Sequence, residues 1–282
     1  MGGPGLTPDR VHRLLFPPVL GLLIIASWAI LLLWQQSPYA RYLQHESWLP
    51  AGALGRICSS VPGAPAILAA LAHAAAWMLM TIAMMLPTSL KLIALFARMI
   101  RTRPHASVLT GLLLGGYLAA WGLFGLAAHG LDLALHAIAD RVGWIALNGW
   151  AMGAAIVAVA GAFQFSRLKY RCLDKCRTPF SFVAGHWHGR AERLDAFRLG
   201  WDHGLFCVGC CWAIMLLMFV VGTGSIGWML ALAAVMAAEK NAAWGRALSK
   251  PVGAGLLLWS AALLVPHLLA LAIWSEAAQP PP

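Results

Sequence analysis

Apolar runs separated by short connections that contain polar residues or proline extend along almost the whole chain. A helix that crosses a bilayer needs about 20 predominantly apolar residues. The runs cover residues 14–34, 66–86, 107–128, 144–165, 204–221, 226–238 and 252–274. This pattern predicts an all-α, polytopic transmembrane helical bundle of about seven spans.

The sixth run is the shortest, with 13 residues before Glu239 and Lys240. The turn-like segment 222–225 joins it to the fifth run. The two runs predict either two thin spans or one re-entrant hairpin, which is tolerated only when it is buried inside the bundle. For the whole chain we expect a cytoplasmic tail (1–13), a single transmembrane domain (14–274) and a disordered external tail (275–282). The transmembrane domain includes a basic cytoplasmic loop (167–203) that contains cysteines.

Composition narrows the class of protein. The chain is 61% hydrophobic and 11% charged, whereas soluble domains carry about 25% charged residues. This excludes a soluble globular enzyme, and the abundance of large apolar residues excludes a disordered chain. The net charge of +10 comes from few, scattered bases rather than from one basic face, so we expect the lipid bilayer, and not nucleic acid, as the partner.

The bases are distributed unevenly among the connections. With a cytoplasmic N-terminus, 17 of the 20 Lys and Arg residues fall on the cytoplasmic side, and only Arg41, Arg56 and Arg141 fall outside. Lys and Arg in short connections remain on the cytoplasmic side of a membrane. The sequence therefore predicts a multi-pass protein with its N-terminus in the cytoplasm.

Five of the six cysteines lie in one stretch on that reducing side, where a disulfide framework is not expected. The stretch contains Cys172-x3-Cys176 and, further along, Cys207-x2-Cys210-Cys211. Pairs at this spacing let two sulfurs from one segment reach one metal ion. In a helix, the three later cysteines project from one face. We therefore predict a metal site made by all five thiols.

Further ligands extend this hypothesis. His203 and Met215 lie on the same helical face as the later cysteines, and His73, Met80 and Met84 form a stripe in the second span. Thiolate and thioether ligands favour Cu(I), whereas four thiolates also suit Zn(II). The bases that flank the first cysteine pair are expected to favour the thiolate form that a metal needs. Cys58 has no assigned role.

Three alternatives remain open at this stage. A zinc ion could have a purely structural role in a protein of other function. A membrane thiol-disulfide oxidoreductase could use Cys207 and Cys210, although an enzyme that feeds external disulfide formation should carry its pair on the outer face. A structural subunit of a membrane complex has no positive mark in the sequence. Nucleotide-binding and hydrolase motifs are missing from the sequence, so we do not expect an enzyme.

Several motifs resemble an uncharacterised bacterial family of metal-binding integral membrane proteins, some of which are labelled copper chaperones. The resemblance covers about residues 66–245. It rests on the two cysteine motifs, on Glu239-Lys240, and on Ala83-Met84-Met85-x-Pro87 with the upstream Trp77. It implies a bacterial integral membrane protein that binds metal. Together with the cysteine motifs and the charge bias, this leads us to expect metal handling or delivery at the inner membrane, with a metal donor or acceptor protein as the partner.

Overall fold

The computed structural model describes residues 8–36, 66–103, 105–142, 149–189, 191–221 and 225–277. These residues form ten α-helices, one 3₁₀ turn (Pro87–Ser89) and no strand. The helices are α1 (Pro8–Gln35), α2 (Ala66–Met84), α3 (Leu90–Met99), α4 (Ala106–Arg141), α5 (Gly149–Phe163), α6 (Arg167–Arg177), α7 (Pro179–His186), α8 (Glu192–Val221), α9 (Ile226–Asn241) and α10 (Gly245–Ala277). The prediction of an all-α fold is confirmed.

Four of these helices, α1, α4, α8 and α10, are long and apolar enough to cross a membrane. The number rises to six if each of two bent pairs forms one span. The first pair is α2 with the 3₁₀ turn and α3, bent by 43°, and the second is α5 with α6, bent by 62°. Helix α9, in the sixth apolar run, has only 16 residues. The described residues thus give four to six candidate spans, and the predicted seven are not confirmed.

The segment 167–203, expected as a loop, is mostly helical. It contains α6, α7 and the first turns of α8. The Ser166 side chain caps α6 by accepting a hydrogen bond from the Lys169 backbone N–H at 3.1 Å, and Pro179 starts α7. Both residues are common starts of a helix. The first cysteine pair consequently lies on a short, highly charged helix.

Helices α4 and α8 form the centre of the bundle, where glycines bring their backbones into contact. Gly116 of α4 lies against the backbone of Phe197, and Gly200 of α8 lies against the backbone carbonyl of Leu113. One turn further along α8, a Cβ on Gly204 would lie 2.7 Å from the Cβ of α4 residue Ala120. Small residues at i and i+4 allow such close packing between membrane helices. This contact fixes the position of α8, which carries three cysteines.

The bend after α2 is held by hydrogen bonds from two other helices. Pro87 has no N–H, so the helical partner of the Ala83 carbonyl is missing, and the Trp28 indole of α1 donates to that carbonyl at 3.1 Å. The Met85 carbonyl accepts from the Thr88 hydroxyl at 2.7 Å and from the Tyr117 hydroxyl of α4 at 3.2 Å. The bend therefore holds Met85 and Thr88 inside the bundle, where both are buried.

A buried ion pair attaches α6 to the end of α9. The Lys169 ammonium lies 2.7 Å from a Glu239 carboxylate oxygen, and both side chains are at most 2% exposed. The Ser249 hydroxyl donates to the other carboxylate oxygen at 2.9 Å. Arg177 adds hydrogen bonds to the backbone carbonyls of Glu239 and Ala243. These contacts determine how α6 lies against the bundle.

The glycine contact predicts a strong difference between two neighbouring substitutions. Gly116→Ala places a methyl group against the Phe197 carbonyl and 2.8 Å from the Trp201 nitrogen, so we expect a loss of about 1–3 kcal/mol from overpacking. Gly115→Ala is the control, because nothing lies within 4 Å of its Cβ. This control should be neutral or stabilising by up to about 1 kcal/mol. Thermal unfolding in detergent measures both, and equal effects would contradict the proposed α4–α8 contact.

A second prediction concerns the buried ion pair. Glu239→Gln leaves the Lys169 ammonium buried without a counter-charge, so we expect a loss of about 3–5 kcal/mol in unfolding free energy. Asp174→Asn is the matched control, since it removes the exposed ion pair of α6 with Arg246 at 3.0 Å. Exposed pairs contribute about 0–1 kcal/mol. Denaturation in detergent measures both variants, and a stable Glu239→Gln protein would show that α6 is held by other contacts.

Candidate metal centre

Helix α8 presents its three cysteines from one face, as their spacing predicted. Cys207, Cys210 and Cys211 are each at most 1% exposed. The thiols of Cys210 and Cys211 both donate to the Cys207 carbonyl oxygen, at 3.1 and 2.8 Å. The two side chains therefore leave the helix close together, and neighbouring helices determine which other sulfurs each of them meets.

The outer sulfur group consists of Cys172 and Cys176 of α6 together with Cys210. The sulfurs of Cys176 and Cys210 lie 4.0 Å apart. Cys172 lies against Gly209, where an added Cβ would be 2.7 Å from its sulfur. Glycine at position 209 therefore leaves the room that the Cys172 thiol occupies. Cys176 is partly exposed, whereas the other two members of the group are buried.

The inner sulfur group consists of Cys207, Cys211 and Met85. The Cys211 thiol lies 3.8 Å from the Met85 sulfur at the bend after α2. The Cys207 sulfur lies 3.1 Å from the Tyr117 hydroxyl of α4. Met85 is fully buried and Tyr117 is 1% exposed. The inner group is thus enclosed by α2, α4 and α8.

One cation lies directly on the inner sulfur group. The Lys240 ammonium of α9 is 2.9 Å from the Cys207 sulfur and 3.9 Å from the Cys211 sulfur. It also donates to the Thr88 hydroxyl at 3.1 Å. The three bases that flank Cys172 and Cys176 in sequence behave differently, because Arg177 donates to backbone carbonyls and Arg171 and Lys175 are exposed. We expected the flanking bases to favour the thiolates of Cys172 and Cys176. The structure instead places the Lys240 ammonium against the sulfurs of Cys207 and Cys211.

The sulfurs are arranged as pairs rather than as a complete coordination shell. Two sulfurs that bind one ion at about 2.3 Å are at most about 4.6 Å apart. The Cys176–Cys210 and Cys211–Met85 distances of 4.0 and 3.8 Å meet this limit. In the part of the chain that the structure describes, no group of three or more His, Cys, Asp or Glu residues stands ready to hold a metal ion. Each of the two sulfur pairs is therefore close enough to bind one ion together.

The remaining sequence-predicted ligands are buried, or their side chains lie outside the described residues. The His203 ring is 3% exposed, and its Nε2 lies 3.2 Å from the Ser89 hydroxyl. Its Nδ1 has no hydrogen-bond partner among the described residues. Met80, Met84 and Met215 are buried, and their role as ligands stays a prediction. The side chain of His73, like Cys58, lies outside the described residues.

Sequence reasoning missed two members of this site, Met85 and Lys240. The stripe in the second span selected Met80 and Met84 by helical periodicity, but α2 ends at Met84 and the bend turns the next residue towards α8. Pro87 was the feature that could have indicated this bend. Lys240 was read as the end of a span, although a Glu-Lys pair that directly follows an apolar run can also be buried as a partner.

Comparison with known proteins gives a family match over the region that contains the sulfur groups. A family model described as copper chaperone matches residues 74–263, which is more than half of the chain and includes both sulfur groups and Lys240. No curated protein and no solved structure matches the chain significantly. Since the match covers the whole region that builds the site, the chain belongs to this copper chaperone family.

Proposed function

We propose that this protein binds Cu(I) at its two sulfur groups and exchanges it with a donor or acceptor protein at the cytoplasmic face of the bacterial inner membrane. Membership of the copper chaperone family supports metal handling. The long apolar helices support a membrane location. The bias of bases towards one side supports a cytoplasmic N-terminus and a site that faces the cytoplasm.

The observation that carries the choice of Cu(I) is the pairing of soft ligands. Each group contains two sulfurs at a distance that one ion can bridge. The neighbouring Glu239 carboxylate is already bonded to Lys169 and Ser249. Thiolates and thioethers select Cu(I), which accepts two or three ligands, whereas a structural zinc site needs four. Paired sulfurs therefore favour Cu(I) over a closed zinc site.

The exposure of the thiols suggests a direction of transfer. Cys176 is partly exposed, its neighbour Cys210 is 1% exposed, and the inner group lies behind them. We infer that Cu(I) enters at Cys176 and Cys210 and moves to the inner sulfur group of Cys207, Cys211 and Met85 by ligand exchange. In each exchange one copper–sulfur bond forms as another breaks, and the copper stays in the +1 state.

The first test of this function is loss of copper from a cysteine variant. Protein loaded anaerobically with Cu(I) and washed should retain copper, measured by mass spectrometry. Cys207→Ser/Cys210→Ser removes one thiol from each group, so retained copper should fall to about a tenth or less. Cys58→Ser is the matched control, because Cys58 is the one cysteine of the sequence that belongs to neither cysteine motif, and this variant should retain copper fully.

Three results would contradict this proposal. Copper retention unchanged by the double substitution would remove both groups from the site. Zinc bound in preference to copper would indicate a structural zinc site. A metal-free protein with a reversible disulfide would favour a thiol oxidoreductase, and among the described residues the contacting pair for that reaction is Cys176 with Cys210 rather than Cys207 with Cys210.

A second test concerns Met85, which the bend after α2 places beside the Cys211 thiol. Met85→Leu keeps an apolar side chain of similar volume but removes the sulfur 3.8 Å from Cys211. We expect the Cu(I) affinity to fall by about tenfold, which corresponds to about 1.4 kcal/mol. Met229→Leu is the control, because Met229 is a buried methionine of α9 that is not a predicted ligand, and it should leave the affinity nearly unchanged. Competition with a chromogenic Cu(I) chelator measures both, and an equal effect of the two substitutions would exclude Met85 as a ligand.

A further inference from the structure

Lys240 is a buried cation at a site that is expected to take up another cation. Its side chain is 6% exposed, and its ammonium contacts both thiols of the inner sulfur group. The third contact of the ammonium is the Thr88 hydroxyl, at 3.1 Å. A like charge beside a metal site weakens metal binding, so this placement needs an explanation.

The carboxylate next to Lys240 in sequence does not neutralise it. Glu239 directs its two carboxylate oxygens to Lys169 and to Ser249. Glu239 and Lys169 thus balance each other, and the charge of Lys240 is left to the inner sulfur group. Breaking such a balance in a buried site is costly, because water cannot screen the excess charge.

From this balance we propose that Lys240 makes the inner sulfur group selective for a monovalent metal ion, an inference that rests on the Cu(I) function proposed above. When Cu(I) binds Cys207 and Cys211, two copper–sulfur bonds form, and each of the two sulfurs that still carries a proton loses it to water, so that both bind as thiolates. The two thiolates carry −2, while Cu(I) and the Lys240 ammonium together carry +2. The buried site is then neutral.

A divalent ion bound to the inner sulfur group would leave the buried site with a net charge. Zn(II) with two thiolates and the ammonium leaves a net charge of +1 in the bundle. Both ions have a filled d shell and both bind thiolates, so charge is the property in which Lys240 distinguishes them. Met85 is neutral and changes neither balance. Lys240 is therefore a specificity-determining residue, which acts by its charge and not as a ligand.

The test measures the ratio of Cu(I) to Zn(II) affinity in full-length protein in detergent. A Cys172→Ser/Cys176→Ser background removes two thiols of the outer sulfur group and leaves the inner one intact. In this background, competition with chromogenic chelators for each ion compares the parent with Lys240→Gln. We expect the Cu(I)/Zn(II) affinity ratio to fall by at least about tenfold, because the divalent ion gains more from loss of the ammonium.

Two controls separate charge from damage to the fold. Lys240→Arg keeps the positive charge and should keep the parental ratio. Lys250→Gln removes one charge from an exposed position of α10 and should also keep it. Glutamine was chosen over methionine because a thioether at position 240 would add a copper ligand. Circular dichroism and size-exclusion elution establish that each variant is folded.

The outcomes also separate this inference from the proposed function. An unchanged ratio in Lys240→Gln, with Cu(I) still bound, would overturn the selectivity and leave the copper function in place. The same holds if the wild type binds Cu(I) but the background with the inner group alone does not. Failure of the wild type to bind Cu(I) at all would overturn both proposals.

Discussion

A positive charge that is buried in an apolar helical bundle needs a partner, since the bundle offers no water to solvate it. Lys169 and Lys240 are two such charges, at most 6% exposed, and consecutive residues of α9 connect them. Glu239 binds Lys169 of α6, while Lys240 itself reaches the thiols of α8. The end of α9 thus holds α6 on one side and the inner sulfur group on the other.

This arrangement explains why the sulfurs meet where they do. The ion pair with Glu239 sets the position of α6, so that Cys172 fits against Gly209 and Cys176 lies 4.0 Å from Cys210. The glycine contact between α4 and α8 fixes the opposite side of the same helix. The cysteines of α8 are therefore held from two directions by packing and charge that involve no metal.

Much of the fold and part of the candidate site could be predicted from the sequence. Helix class, the common face of Cys207, Cys210 and Cys211, and their proximity to the first pair follow from periodicity and spacing. The helix α6 was missed because charge density was read as a loop, although Ser166 offered a cap. Met85 was missed because its position depends on the bend after α2, which hydrogen bonds from α1 and α4 stabilise. Such tertiary contacts leave no periodic pattern in one sequence.

The pairing of the sulfurs also bears on how a metal would leave. A complete tetrahedral shell holds its ion tightly and has no free position through which an incoming ligand can attack. A two-sulfur site leaves such a position open, so that a ligand from a neighbouring group can bind before an old bond breaks. In the proposed transfer, the partly exposed Cys176 would offer this position to a partner protein, and the buried Cys211 would receive the ion into the inner sulfur group. Two sulfur pairs in contact with one helix would therefore suit the proposed transfer better than one complete four-ligand site would.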